Sequence, residues 1–210
     1  MNDTPRQQLV SRFVDKAKAV SAFVTEISSI DEAIAYTLDL CGSRGACRIK
    51  ISGCEEALSP PAGELCLTKQ EKIVAAPDLS PEIFQRLAAA CSASGFACLR
   101  DGMRQHLGGI DIGFTIADLG IAETGTLVLN CPGEDLRLAT MISEYHVAVL
   151  PKGSIVADGF AAEAQLRKYL HRTPDYTAFI TGASRTADIE RVLAMGVHGP
   201  LELHILLLED

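Results

Sequence analysis

Apolar residues recur at steps of three and four through Leu9, Phe13, Ala17, Val20, Val24 and Ile27. That spacing predicts one buried stripe of a long first helix. A second helix is expected over Asp31 to Leu40, ending near Gly42. Residues 44–71 show no clear period. Cys47 to Ser52 reads as a short strand, and Ser59-Pro60-Pro61-Ala62-Gly63 as a loop, because Pro and Gly interrupt regular structure. From residue 72 the pattern alternates. Ile73 to Ala76 is an apolar strand. Ser80 then caps a helix with Pro81 at its first position, the stripe Phe84, Leu87, Ala88 and Cys91 on one face, and Gly95 after its end. Phe96 to Leu99 predicts the next strand. Within the apolar segment 108–130, Gly125 to Asn130 reads as a strand. Helices are expected over Asp135 to Tyr145, Ser154 to Leu170 and Ala187 to Met195, the last closed by Gly196. Strands are expected at His146 to Leu150, Tyr176 to Thr181 and Leu201 to Leu208.

Strands alternating with helices imply an α/β fold, a mainly parallel sheet with helices on both faces. The run Ile205-Leu206-Leu207-Leu208 suits a strand buried on both sides. A chain of 210 residues is expected to form one domain, with a helical N-terminal region over 1–43 and an α/β core over 72–210.

Charge narrows the choice of partners. Lys plus Arg number 19 against 27 Asp plus Glu, a formal charge of −8, with no basic run. A nucleic-acid partner is therefore not expected. The opening residues MNDTPRQQLVSRFVDKAKAV lack the apolar core of a signal peptide, and no uncharged apolar stretch is long enough for a membrane span. A cytoplasmic location is the expectation. Seven cysteines (41, 47, 54, 66, 91, 98 and 131) include no C-x-x-C pair. Neither a metal site nor an iron–sulfur cluster is expected on this chain, and its cysteines read as small buried hydrophobes.

Three segments carry candidate chemistry, each with a plainer structural use. Ligands in open α/β sheets bind outside the carboxyl ends of strands, often at helix N-termini. In Ala122-Glu123-Thr124-Gly125-Thr126 a carboxylate, two hydroxyls and a Gly enter a strand. Glu123 would serve as base or nucleophile, with Thr124, Gly125 and Thr126 binding the ligand; the alternative is a turn whose hydroxyls satisfy local backbone. In Thr181-Gly182-Ala183-Ser184-Arg185-Thr186, Ser184, Arg185 and Thr186 at the start of a helix suit a carboxylate or phosphate; the alternative is an ordinary N-cap. In Gly196-Val197-His198-Gly199-Pro200, His198 lies between glycines where it can exchange protons near neutral pH, with Gly199 beside the ligand; the alternative is a structural turn. Asp111 and Asp118 interrupt an apolar run and must be exposed, capped or paired. His146 opens a strand and is free to bond a neighbour.

The stretches GIAETGTLVL (120–129), SRTADIERVLAMGVHGP (184–200) and ELHILLLED (202–210) together resemble the LUD domain family, in its lactate-utilisation protein C type. The resemblance is clear from about Asp111 onward. It implies a fold similar to the ribose-5-phosphate isomerase and CoA-transferase class. It also implies membership of a three-component system that oxidises L-lactate to pyruvate, with two iron–sulfur subunits as partners. This sequence lacks the C-x-x-C-x-x-C run of the longer family form, so the resemblance implies the cluster-free component, binding a small anion or a cofactor. A stand-alone acyl- or phosphosugar-handling enzyme and a non-catalytic assembly module are the alternatives.

Overall fold

The computed structural model describes residues 4–46, 59–69, 71–106, 108–170, 176–186, 194–195 and 199–209. In chain order the elements are α1 (Pro5–Ala19), β1 (Ala22–Ile27), α2 (Ile30–Ser43), α3 (Pro60–Thr68), β2 (Ile73–Ala75), α4 (Pro81–Ala93), β3 (Ala97–Leu99), β4 (Ile110–Ile116), β5 (Leu119–Ile121), β6 (Thr126–Asn130), α5 (Glu134–Ile142), β7 (Ser143–Pro151), β8 (Ile155–Val156), α6 (Gly159–Tyr169), β9 (Thr177–Ile180), β10 (Arg185–Thr186), β11 (Ala194–Met195) and β12 (Glu202–Leu208).

The expected parallel sheet is present. Six strands in the order β1-β12-β7-β4-β2-β3 pair in parallel throughout. On one face α2 and α4 bury Ile34, Leu40, Leu87 and Cys91 against Val74, Phe114, Val147 and Leu206. On the other, Phe13 and Ala17 of α1 and Leu136 of α5 pack with Ala148, Leu150, Ile205 and Leu207. Helices thus lie on both faces. The second face also carries a four-stranded sheet of order β8-β5-β6-β9, in which β5–β6 and β6–β9 are antiparallel. Leu127 and Leu129 of β6 point from it into the shared core.

Several elements differ from the sequence pattern. The first helix stops at Ala19, and Val24 and Ile27 belong to β1 at the edge of the sheet. No glycine marks the break: Ser21 itself takes the left-handed turn, with φ 67°, a conformation that usually selects Gly. The Ser59–Gly63 loop is largely the first turn of α3. Pro60 and Pro61 sit where a helix has no use for the missing N–H. Helix α5 ends at Ile142, three residues before Tyr145, and β7 begins at once. Helix α6 starts only at Gly159, where Asp158 Oδ1 accepts from Ala161 N at 2.8 Å. The helix expected over Ala187 to Met195 is overturned at its end, because Ala194 and Met195 form β11, antiparallel to β10; residues 187–193 lie outside the described residues, as does the expected strand Cys47 to Ser52.

The buried polar groups mark where the sheet is least forgiving. Asp111, 2 % exposed, accepts from Lys69 Nζ at 2.5 Å and from Ile73 N at 2.7 Å. Asp118 Oδ2 accepts from Asn130 N at 2.7 Å. His146, on central strand β7 and 1 % exposed, shares a 2.9 Å hydrogen bond between Nε2 and Thr115 Oγ1. Its Nδ1 has no partner among the described residues. Burial lowers its pKa to about 4. The unfolded imidazole, near 6.5, binds its proton first as pH falls. Stability should therefore decline from about pH 6.5 towards pH 4, by about 2–3 kcal/mol from this group. Urea midpoints at pH 7 and pH 4.5 test this. His146→Asn should lose part of the slope, whereas equal slopes in variant and wild type would remove His146 as its source.

Candidate functional site

The segment Ala122-Glu123-Thr124-Gly125 is the turn of the β5–β6 hairpin, closed by the Ile121–Thr126 pair. Gly125 N donates to Ile121 O at 2.9 Å, and Gly125 adopts φ 67°. A Cβ there would lie 2.3 Å from Ala17 N on α1, so glycine is required both by backbone conformation and by the closeness of the helix. Glu123 is anchored by its backbone: its N–H donates to Ala157 O at 3.0 Å, and Ala122 N to Val156 O at 2.8 Å. Its side chain is exposed and lines a groove of about 720 Å³ with Phe160, Leu166, Arg167 and Leu170 of the α6 segment. Phe160 and Leu170 are themselves open to solvent, and Arg167 is held by Glu163 at 2.6 Å.

The threonines form a chain. Thr126 Oγ1 lies 2.7 Å from both Thr124 Oγ1 and Thr181 Oγ1. This ties the hairpin turn to the end of β9. Gly182 follows, with φ 74° and a Cβ position 2.1 Å from Val20 O, which presses the chain against the end of α1. Ser184 N then donates to Pro200 O at 2.9 Å. A Cβ on Gly199 would stand 3.2 Å from Ser184 Cβ. The structure therefore brings Thr124 together with Thr126, and Ser184 together with Gly199, with Thr181 as the link that sequence reading had not singled out. Its hydroxyl becomes visible only through the β6–β9 pairing, which no short motif encodes.

The helix expected after Thr186 falls on 187–193, outside the described residues, while Arg185 and Thr186 themselves form β10. Their side chains, and His198 altogether, lie outside the described residues. One expectation needs correction: the site does not occupy the carboxyl ends of the parallel strands. Pro200 precedes β12, and Leu201 N donates to Glu144 O at 2.8 Å, which sets Ser184 and Gly199 at the amino ends of β12 and β7. The carboxyl ends carry a different cluster, in which Lys152 after β7 bonds Glu26 of β1 (2.6 Å) and Glu209 after β12. Both carboxylates, Glu209 first, hold the Lys152 pKa above its ordinary value.

A model of the LUD domain matches residues 10–208. The chain belongs to the LUD domain family. Its relatives include Lactate utilization protein C of Shouchella clausii, 35% identical over 102 residues, covering 48% of this chain and 44% of that protein. Lactate utilization protein C of Halalkalibacterium halodurans is 36% identical over 107 residues, covering 48% and 45%. The LUD chain thus aligns with less than half the length of these relatives. A DUF162 family protein from Deinococcus radiodurans superposes with a TM-score of 0.55 at 18% identity, covering 98% of this chain and 99% of that one, which shows a shared fold. Among the described residues no helix is long and apolar enough to cross a membrane.

Proposed function

We propose that this LUD protein is the cluster-free subunit of a cytoplasmic system that oxidises L-lactate to pyruvate, working with iron–sulfur subunits. The observation that carries the reading is its similarity to proteins named Lactate utilization protein C. We further propose that 1–210 acts as one LUD unit whose anion or cofactor site runs from Glu123 along Thr124, Gly125 and Thr126 to Ser184, Arg185, Thr186 and Gly199. The groove between Glu123 and α6 supports the Glu123 end of this site, since about 720 Å³ is within the usual range for small-molecule and cofactor sites. Oxidation of lactate removes two electrons and two protons. In this reading Arg185 grips the carboxylate, Glu123 and His198 take up protons, and the partner subunits carry the electrons.

Two measurements test the proposal. Affinity purification under anaerobic conditions should recover the chain with iron–sulfur proteins; recovery alone, with lactate oxidation unaffected by its removal, would favour a stand-alone enzyme of another kind. In calorimetric titration with L-lactate and pyruvate, Arg185→Ala should weaken binding by about 1.5–3 kcal/mol, the worth of a charge-assisted hydrogen bond. Binding as tight as wild type would take Arg185 out of the site.

A further inference from the structure

On the side of the sheet that α1 covers, alternate residues of three neighbouring strands are apolar. They are Val24 on β1, Ile205 and Leu207 on β12, and Ala148 and Leu150 on β7. The next residue of each row is charged: Glu26 follows Val24, Glu209 follows Leu207, and Lys152 follows Leu150, each two positions on. Successive side chains of a strand alternate between its faces, so these three charges emerge together at the carboxyl ends of β1, β12 and β7. Lys152 Nζ bonds Glu26 Oε2 at 2.6 Å and Glu209 Oε1, and its side chain is only 15% exposed. Helix α1 supplies the opposite wall. Arg6, Val10 and Val14 recur at steps of four, with Gln7 and Ser11 beside them, a spacing that sets them on one side of the helix. Together these residues line a groove of about 600 Å³, the size of a small-molecule site. It shares no lining residue with the groove beside Glu123.

The groove is balanced in charge, with Arg6 and Lys152 against Glu26 and Glu209. Arg6 Nη1 donates to Ile155 O at 3.0 Å. This anchors the guanidinium, and its other N–H groups meet no acceptor among the described residues. Each carboxylate binds Lys152 through one oxygen, and Glu26 Oε1 and Glu209 Oε2 accept no hydrogen bond among the described residues.

We propose that this groove binds a free α-amino acid with an aliphatic side chain. Its carboxylate pairs with Arg6, its ammonium with Glu26 and Glu209, and its side chain covers Val10 and Val14. Charge decides for a zwitterion. A simple anion on Arg6 would also face two carboxylates, and a simple amine on the carboxylates would face Lys152 and Arg6. A molecule carrying both charges adds no net charge and gives each group an opposite partner. The place agrees with the rule that ligands of open α/β sheets bind outside the carboxyl ends of the strands.

The test is calorimetric titration of the full chain with L-leucine, glycine, 4-methylpentanoate and 3-methylbutylamine. The last three each lack one of the proposed contacts: side chain, ammonium or carboxylate. Wild type should bind one L-leucine per chain, roughly ten-fold or more tightly than any of the other three. Arg6→Gln and Glu26→Gln, with thermal melts to confirm the fold, should each weaken L-leucine by roughly ten-fold or more. The proposal is overturned if millimolar L-leucine gives no binding heat on wild type, or if any of the three partial ligands binds as tightly. It is also overturned if either folded variant binds L-leucine as wild type does. The four-ligand comparison on wild type decides the matter even where a variant does not fold.

Discussion

Replacing Glu123 by Gln should abolish growth on L-lactate without disturbing the fold. The side chain is exposed and its backbone is pinned to Ala157, so a neutral isostere leaves the hairpin intact, with a stability change within about 0.5 kcal/mol. Gln cannot serve as a base or a carboxylate nucleophile. The variant, expressed in a strain lacking the wild-type protein, should be soluble and assembled yet fail to support growth. A soluble, assembled variant that restores full growth would reduce Glu123 to a turn residue. A circular-dichroism melt of the purified variant accompanies the assay, because unfolding would also stop growth.

Gly125→Ala should act in the opposite way, through the fold. The left-handed φ of 67° costs an alanine roughly 1–2 kcal/mol. The added methyl would also enter the backbone of α1 at Lys16 and Ala17, and overpacking of this kind costs about 1–3 kcal/mol. Together these predict a loss of about 2–5 kcal/mol, read as a lowered urea midpoint with an unchanged slope. A midpoint within error of wild type would show that α1 does not pack on the hairpin as described. Glycine here holds the turn under the helix.

Strands β2, β3, β7 and β12 of the six-stranded sheet were legible because they are short apolar runs, and α4 carries plain start and stop signals. Ser80-Pro81 and Gly95 bracket α4 as read, and Ile205 to Leu207 are buried in β12. What stayed hidden depends on pairing rather than local pattern. Strands β4 and β5 lie in one apolar segment, and nothing local tells that the chain leaves the parallel sheet after Ile116 to build a second one. The break after α1 rests on a serine in a glycine conformation. At the site, the motif residues Glu123, Thr124 and Thr126 were visible as chemistry. Their surroundings were not: Thr181 and the α6 groove join them only through tertiary packing. Only the end of the helix expected over Ala187 to Met195 is contradicted, where Ala194 and Met195 pair with Arg185 and Thr186, and a two-residue strand contact leaves no periodic signal.

The assignment to L-lactate oxidation is tested most directly by growth of a deletion strain on L-lactate as sole carbon source, with pyruvate as the control. The strain should grow on pyruvate and fail on L-lactate, and the wild-type gene supplied in trans should restore growth. Equal growth of deletion and parent strains on L-lactate would contradict the account.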